Sequence, residues 1–344
     1  MLTLYKTPKN INKMNKLTFI LLCVITLTSC NGNDKALKPN INGRAGEVLI
    51  VIEESLKKDS AGLYLSSMLN QSYQGLPQAE PVFNILTTPP HYFDKQMKYF
   101  RNIVIAEANA NVEKDTIYFY ESLWARGQAV VRASAKKPAD LKEIIKRNEI
   151  KIISFFNRAE RNRIIAYNKS VNYTMLTNEI RDQWNISVNL PTGYNKNKSS
   201  KDFTWISQET PTTSQGLMIY GFKYAGEGTF SKEFLLNKRD SLLRFNLEGP
   251  VPGSFMQTEL NADLIYKSET IDNMEIAEIR GLWKTVGYAM GGPFLLRAHY
   301  NKATNYVVVT DGYIYFPDKP EKRNMMRQLE AIMYTVRFTD NQKQ

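Results

Sequence analysis

Residues 17–27 form an apolar run of eleven, broken only by Thr18 and Thr26, that ends in Leu27-Thr28-Ser29-Cys30. Lys6, Lys9, Lys13 and Lys16 precede it with no acidic residue among them. The length suits the core of a secretory signal, ~7–15 residues, and falls short of the ~18–20 needed to span a bilayer. An aliphatic residue, two small residues and a cysteine make a lipobox. The small pair fits a narrow peptidase cleft, and the thiol takes a diacylglyceryl group through a thioether. Cys30 is the expected lipidation site and residues 1–29 the expected signal peptide. Met14 offers an alternative start, because Met14-Asn15-Lys16 and the apolar run make a complete signal by themselves.

This reading limits what the rest of the chain can be. Cys23 leaves with the signal and Cys30 is acylated, so no thiol or disulfide remains and stability must come from packing. One acyl chain holds a protein marginally, whereas two or more hold it stably. Asn31, not Asp, follows the cysteine, and no acidic run comes after it. These residues point to the periplasmic face of the outer membrane. Removing residues 1–29, with four lysines and no acids, takes the net charge from +11 to +7 over 315 residues. A moderately basic surface suits anionic headgroups or cell-wall polymers, and equally a plain solvated face. Export leaves nucleic acid a poor partner. The expected partners are the membrane, through the lipid, and an envelope protein or cell-wall polymer.

Hydrophobic residues make up 43% of the chain, enough for real cores. The polar stretch 30–44 reads as a lipidated flexible tether. Residues 45–170 read as an N-terminal α/β domain. Apolar runs at 48–52, 82–86, 102–106, 116–120 and 128–133 predict strands, and helices are expected over 93–99 and from Pro138 to about residue 147. A short helix carrying Leu63, Leu65, Met68 and Leu69 follows the first strand. Over 149–167, Ile152, Phe155, Phe156, Ala159 and Ile164 recur at helical spacing, with Lys151, Arg158, Arg161 and Arg163 on the other side. Residues 171–340 read as a C-terminal α+β domain. It opens on a helix over 173–184 and has strands at 188–190, 203–208, 217–224, 275–283, 294–300 and 306–316. A helix over 230–245 is expected to bury Phe234, Leu235, Leu242 and Phe245. A closing helix over 322–334 is expected to bury Met326, Leu329, Ile332 and Met333. The expected fold class is α+β, two layered α/β sandwich-type domains behind the signal peptide and tether.

Chemistry is sparse. His91 follows two prolines and His299 lies in a strand; no HExxH or clustered Asp/His spacing accompanies them, so no metal or cofactor is expected. No GxSxG elbow exists, and Ser254 sits in turn-forming Pro252-Gly253-Ser254. Gly287, Gly291 and Gly292 lie between strands and read as a turn or bulge needing positive φ. Glu278 and Arg280 alternate onto one strand face, opposite Ala277, Ile279 and Trp283; the pair lines a polar groove or makes a solvated ion pair. Arg126 and Gln128 beside Trp124 suit a planar polar ligand, or a loop whose Trp packs on the core. The ligand-binding candidates are therefore Trp124, Arg126, Gln128, Glu278, Arg280 and Trp283. Glu259, Glu278 and Asp240 are candidate carboxylates for hydrolysis, since paired acids need no motif.

Gly46-Glu47-Val48, Gly75-Leu76-Pro77-Gln78, Arg101-Asn102-Ile103, Trp124-Ala125-Arg126-Gly127-Gln128, Gly291-Gly292-Pro293-Phe294, Lys322-Arg323 and Arg327-Gln328-Leu329-Glu330 follow in that order. In these the chain resembles an uncharacterised family of Bacteroidetes-type lipoproteins, domain of unknown function 4837, over essentially the whole mature length. The resemblance implies an outer-membrane lipoprotein and brings no active site with it. From Leu190-Pro191-Thr192-Gly193-Tyr194 onward the second half is similar to PsbP/Mog1-like sandwiches, which act mostly as binding or assembly modules. The expectation is an outer-membrane-anchored periplasmic binding or assembly module. The alternatives are a carboxylate-based hydrolase of envelope glycan or lipid, and a lipid or small-molecule carrier with an apolar pocket between the domains.

Overall fold

The continuous apolar run from Val48 becomes an interior strand of a sheet covered on both faces. A computed structural model describes residues 38–271 and 274–339. Cys30, the signal segment and most of the tether lie outside them. Within the first sheet the strands are β1 (Glu47–Val51), β2 (Asn84–Thr88), β3 (Asn102–Ala108), β4 (Thr116–Glu121) and β5 (Ala129–Ala135). They lie in the order β2-β1-β3-β5-β4, parallel except for β4, which pairs antiparallel to β5. Alternation sends Val48 and Ile50 to one face and Leu49 and Val51 to the other. The first face packs on helices α2 (Ser60–Leu69), α3 (Pro138–Arg147) and α4 (Glu149–Ser170), which bury Leu65, Leu141, Phe155 and Phe156. Ahead of α2 lies the one-turn α1 (Glu54–Lys57).

The opposite face is covered by Phe93, Met97, Phe100 and Trp124. The helix expected over 93–99 is replaced by two single 3₁₀ turns, Pro90–Tyr92 and Met97–Tyr99. Pro90 opens the first of these turns, as proline can at a helix start, but each turn closes after three residues. Of the apolar residues on α2, Leu65, Met68 and Leu69 are buried, with Ala61, and Leu63 is 62% exposed. Residues 40–44, which read from sequence as the end of the tether, are held against the sheet. Asn40 bridges to Arg126 and Asn42 to Phe100.

The second sheet is antiparallel throughout. Its strands are β7 (Asn195–Ser200), β8 (Phe203–Glu209), β9 (Ser214–Lys223), β10 (Phe255–Thr258), β11 (Ile265–Ile271), β12 (Met274–Val286), β13 (Gly291–Asn301) and β14 (Tyr306–Tyr315). The order is β10-β12-β13-β14-β9-β8-β7, with β11 beside the first half of β12. Short strands β6 (Ile186–Ser187) and β15 (Arg337–Phe338) pair to tie down the end of the chain. One face carries α6 (Lys232–Asn246); the other carries α5 (Thr174–Trp184) and α7 (Arg323–Met333). The result is an α+β chain of two sheet-based layered lobes.

Two details refine the reading of this lobe. Residues 188–190, expected as a strand, lie between β6 and β7 and join neither. The glycines around the β12–β13 turn divide their roles: Gly287 takes φ +80°, whereas Gly292 is needed for close approach, since a Cβ there would lie 2.0 Å from Ile314 O. Ser254 closes its turn by donating to Val251 O, as a turn residue should.

Candidate functional site

Several of the segments that carried the family resemblance, those with Gly46, Gln78, Lys322-Arg323 and Arg327, meet along the seam between the lobes. The Glu80 carboxylate accepts from the backbone N–H of Lys322 at 2.7 Å and of Arg323 at 3.1 Å. An anion is favoured there because the first amides of α7 lack intrahelical partners. Lys322 Nζ donates to Gln78, and Arg327 Nη2 donates to Val82 O at 2.8 Å. Arg323 and Arg327 lie over Gly46, where a Cβ would come 2.7 Å from Arg327 Nη1.

Beside this clasp opens a cavity of about 500 Å³ with walls from both lobes. Tyr73 and the α4 residue Arg161 come from the first lobe; Glu278, Arg280, Glu330 and Tyr334 come from the second. Arg280 holds its floor together. Its Nε lies 2.9 Å from Glu278, its Nη2 3.1 Å from Glu330, and its Nη1 donates to the Tyr73 hydroxyl at 3.0 Å. Arg161 donates to the other oxygen of Glu330 at 2.9 Å. Tyr334 donates to Glu278 at 3.0 Å, and the guanidiniums of Arg161 and Arg297 lie over its ring at 3.9 and 3.4 Å.

The electrostatics follow from this packing. Burial alone would raise Glu330, but Arg280 and Arg161 outweigh it and hold the carboxyl at about 2. Burial, helped by Glu278, pushes the Tyr334 hydroxyl well up. Against burial, Glu330, Tyr73 and Glu278 keep Arg280 firmly charged. A carboxyl held that low cannot deliver a proton near neutral pH. The floor is a fixed, mutually satisfied network suited to binding. The rim, with Gln71, Ser72, Gln74 and Lys267, offers hydrogen-bonding groups to a polar ligand. This is a polar cavity, unlike the apolar one a lipid carrier needs.

The other expected site residues lie elsewhere. Glu278 and Arg280 do share a face, but they are buried in the seam rather than solvated as a surface pair. Trp283 points to the α6 face, where its ring packs on Tyr313 and its Nε1 donates to Ile314 O. Gln128 has no group left for a ligand. Its amide donates to Lys98 O and Phe100 O and accepts from the Trp124 N–H. Trp124 packs on Phe93, and Arg126 donates to Asn40. These three residues hold a loop. Glu278 does not meet the other two candidate carboxylates. Asp240 is fixed by Thr258 on the α6 side, Glu259 pairs with Lys284 at 3.0 Å, and Glu278 accepts from Tyr334 at the end of α7. His91 stacks on Tyr92, and His299 is buried in β13. Among the described residues no group of three or more His, Cys, Asp or Glu is arranged to hold a metal ion, and no helix is long and apolar enough to cross a membrane.

Sequence reasoning missed Tyr73, Arg161, Glu330 and Tyr334, which come from three separate stretches of chain. Glu330 accepts from Tyr73, Arg161 and Arg280. Glu330→Gln is expected to cost about 2 kcal/mol, the scale of hydrogen bonds to charged groups, read as a shift in the urea unfolding midpoint. An unchanged midpoint would show that the network does not hold the lobes together.

Residues 42–169 match a family described as a domain of unknown function (DUF8532). Residues 173–335, the second lobe, match another so described (DUF4837). The resemblance thus covers that lobe and not the whole mature length, the first lobe matching a different family model. No curated protein matches the chain. Similar solved structures include the Ran-binding protein Mog1p of Saccharomyces cerevisiae, at 10% identity over 46% of this chain and 92% of that one, with a TM-score of 0.29. A point mutant of Mog1 matches over the same shares at 11% identity and a TM-score of 0.27. At these scores no functional parallel follows.

Proposed function

We propose that this chain is a lipid-anchored protein of the bacterial envelope, held through Cys30 at the periplasmic face of the outer membrane, that binds a polar protein or cell-wall partner at the seam between its lobes. The observation that carries this reading is the interlobe cavity. Both lobes supply its walls, its floor is locked by Arg280 and Glu330, and its rim is rich in hydrogen-bonding groups. Preorganised polar surfaces of this kind favour binding, because little order is lost when a partner docks. The ionised Glu330 and the placing of Glu278 away from Asp240 and Glu259 weigh against hydrolysis.

The test is site-specific photocrosslinking in living cells, with the photoreactive residue at Gln74 or Ile150, both exposed on the rim. A discrete crosslinked species in the envelope fraction, lost when Cys30→Ala releases the protein from the membrane, is the expected result. Absence of any species from both rim positions would overturn the binding reading. A species that persists with Cys30→Ala would overturn the role of the anchor.

A further inference from the structure

A second cavity, of about 370 Å³, lies on the other flank of the α4–α7 contact. It draws on the C-terminal half of α4, with Glu160, Arg163 and Asn168, and on Arg101, Tyr194 and Arg327. Its lining holds three cations, Arg101, Arg163 and Arg327, against the single carboxylate of Glu160. That carboxylate is already engaged: it accepts from Arg101 at 2.8 Å, Arg163 at 2.9 Å and Asn102 at 2.7 Å. Arg327 donates to neutral acceptors, Val82 O and Asn157. Positive charge is left over.

The hydrogen-bond accounting points the same way. Three buried donors of residues lining this cavity lack a hydrogen-bond partner: Arg101 Nε, Asn168 Nδ2 and Arg327 Nη1. The Tyr194 hydroxyl, also in the lining, is engaged by the Gln215 side chain. Asn168 is 3% exposed. Buried donors without acceptors are rare and carry a desolvation penalty that a ligand's acceptors relieve. Ile164, Val171 and Ile332 add an apolar wall.

We infer that this cavity is a binding site for an oxyanion of the phosphate class, its oxygens meeting the three donors and any attached carbon chain lying on the apolar wall. Guanidiniums and amide N–H groups are the donors that recognise such oxygens. This site shares Arg327 with the proposed partner cleft but does not rest on that reading.

The experiment titrates the purified full-length protein in detergent, following thermal stability and heat of binding, with inorganic phosphate, glycerol 3-phosphate and vesicles of phosphatidylglycerol. Sodium chloride at matched ionic strength is the control. Saturable binding of at least one phosphate probe beyond the chloride response is expected. Preference for inorganic phosphate identifies the free ion, for glycerol 3-phosphate a soluble ester, and for vesicles a lipid headgroup. Asn168→Asp, which puts a negative charge among the donors, is expected to weaken binding at least tenfold. Arg101→Lys, which keeps the charge but removes the Nε donor, is expected to weaken it several-fold. Glu278→Gln in the other cavity should leave it unchanged. A response no larger than chloride, or the parent's affinity in both Asn168→Asp and Arg101→Lys, would overturn the assignment and leave the donors to internal water.

Discussion

Replacing Arg239 with methionine is expected to destabilise the chain by about 3–5 kcal/mol at pH 7, the range for removing one partner of a buried ion pair. Arg239 projects from α6 into the core on that face of the second sheet and is fully buried. Its Nε lies 2.8 Å from Asp311 on β14, a residue equally buried, and its guanidinium lies 4.0 Å above the Phe294 ring. Nη1 donates to Thr258 at 3.1 Å. Methionine fills most of that volume but leaves Asp311 with only the Tyr220 hydroxyl, 3.4 Å away. An uncompensated buried carboxylate is costly unless it takes a proton. The double variant Arg239→Met/Asp311→Leu removes both charges and is expected to recover most of the loss. Denaturant midpoints of the parent and the two variants decide it. If the single and double variants unfold at the same midpoint, the loss comes from packing and not from the orphaned charge.

The same helix shows where sequence reading succeeds and where it stops. The helix over 230–245 is readable from its apolar spacing, yet Phe245 is 77% exposed and the buried stripe is Leu235, Leu236, Arg239 and Leu243. A core arginine in register with leucines looks like a surface residue until its aspartate is found 72 positions away. α4 repeats the lesson. Its apolar face is legible, but its arginine-rich side reads as solvated. There Arg161 is tied to Glu330 of the second lobe, while Glu160, 1% exposed, is enclosed by Arg101, Asn102 and Arg163 of the first. Periodicity separates polar from apolar faces; it cannot tell water from another polar surface. β7, Asn-Lys-Asn-Lys-Ser-Ser, carries no alternation at all and is a strand only because β8 offers it an edge. The parity of β12 is readable, and it correctly sets Glu278 and Arg280 opposite Trp283. Which of those faces borders a cavity depends on how two distant lobes meet.

Stability against acid is expected to stay nearly level from pH 6.5 to about 4.5 and then to fall steeply, because three buried groups titrate in opposing senses. His299 is lowered from 6.5 to about 3, first by burial and then by Arg297 and Arg337, which outweigh the Val308 backbone contact. The folded state therefore binds this proton less readily than the unfolded one. Its contribution is present above pH 6.5 and drains away as pH falls toward 3. Asp311 runs the other way. Burial raises it from 3.8 to about 6 against the pull of Arg239, so its contribution is full below pH 3.8 and lost as pH rises through 6. Between pH 6.5 and 4 the two nearly cancel, each changing stability by ~1.4 kcal/mol for every pH unit crossed. Glu330, lowered from 4.5 to about 2 by Arg280 and Arg161 despite burial, then adds its own loss below pH 4.5, when Asp311 has little left to gain. His299→Gln removes one side of the balance. Its stability should rise by roughly 2–3 kcal/mol between pH 6.5 and 4.5, where the parent stays level. Urea unfolding of both proteins at half-unit pH steps measures this directly. Parallel curves across that window would mean that His299 is not kept neutral in the fold.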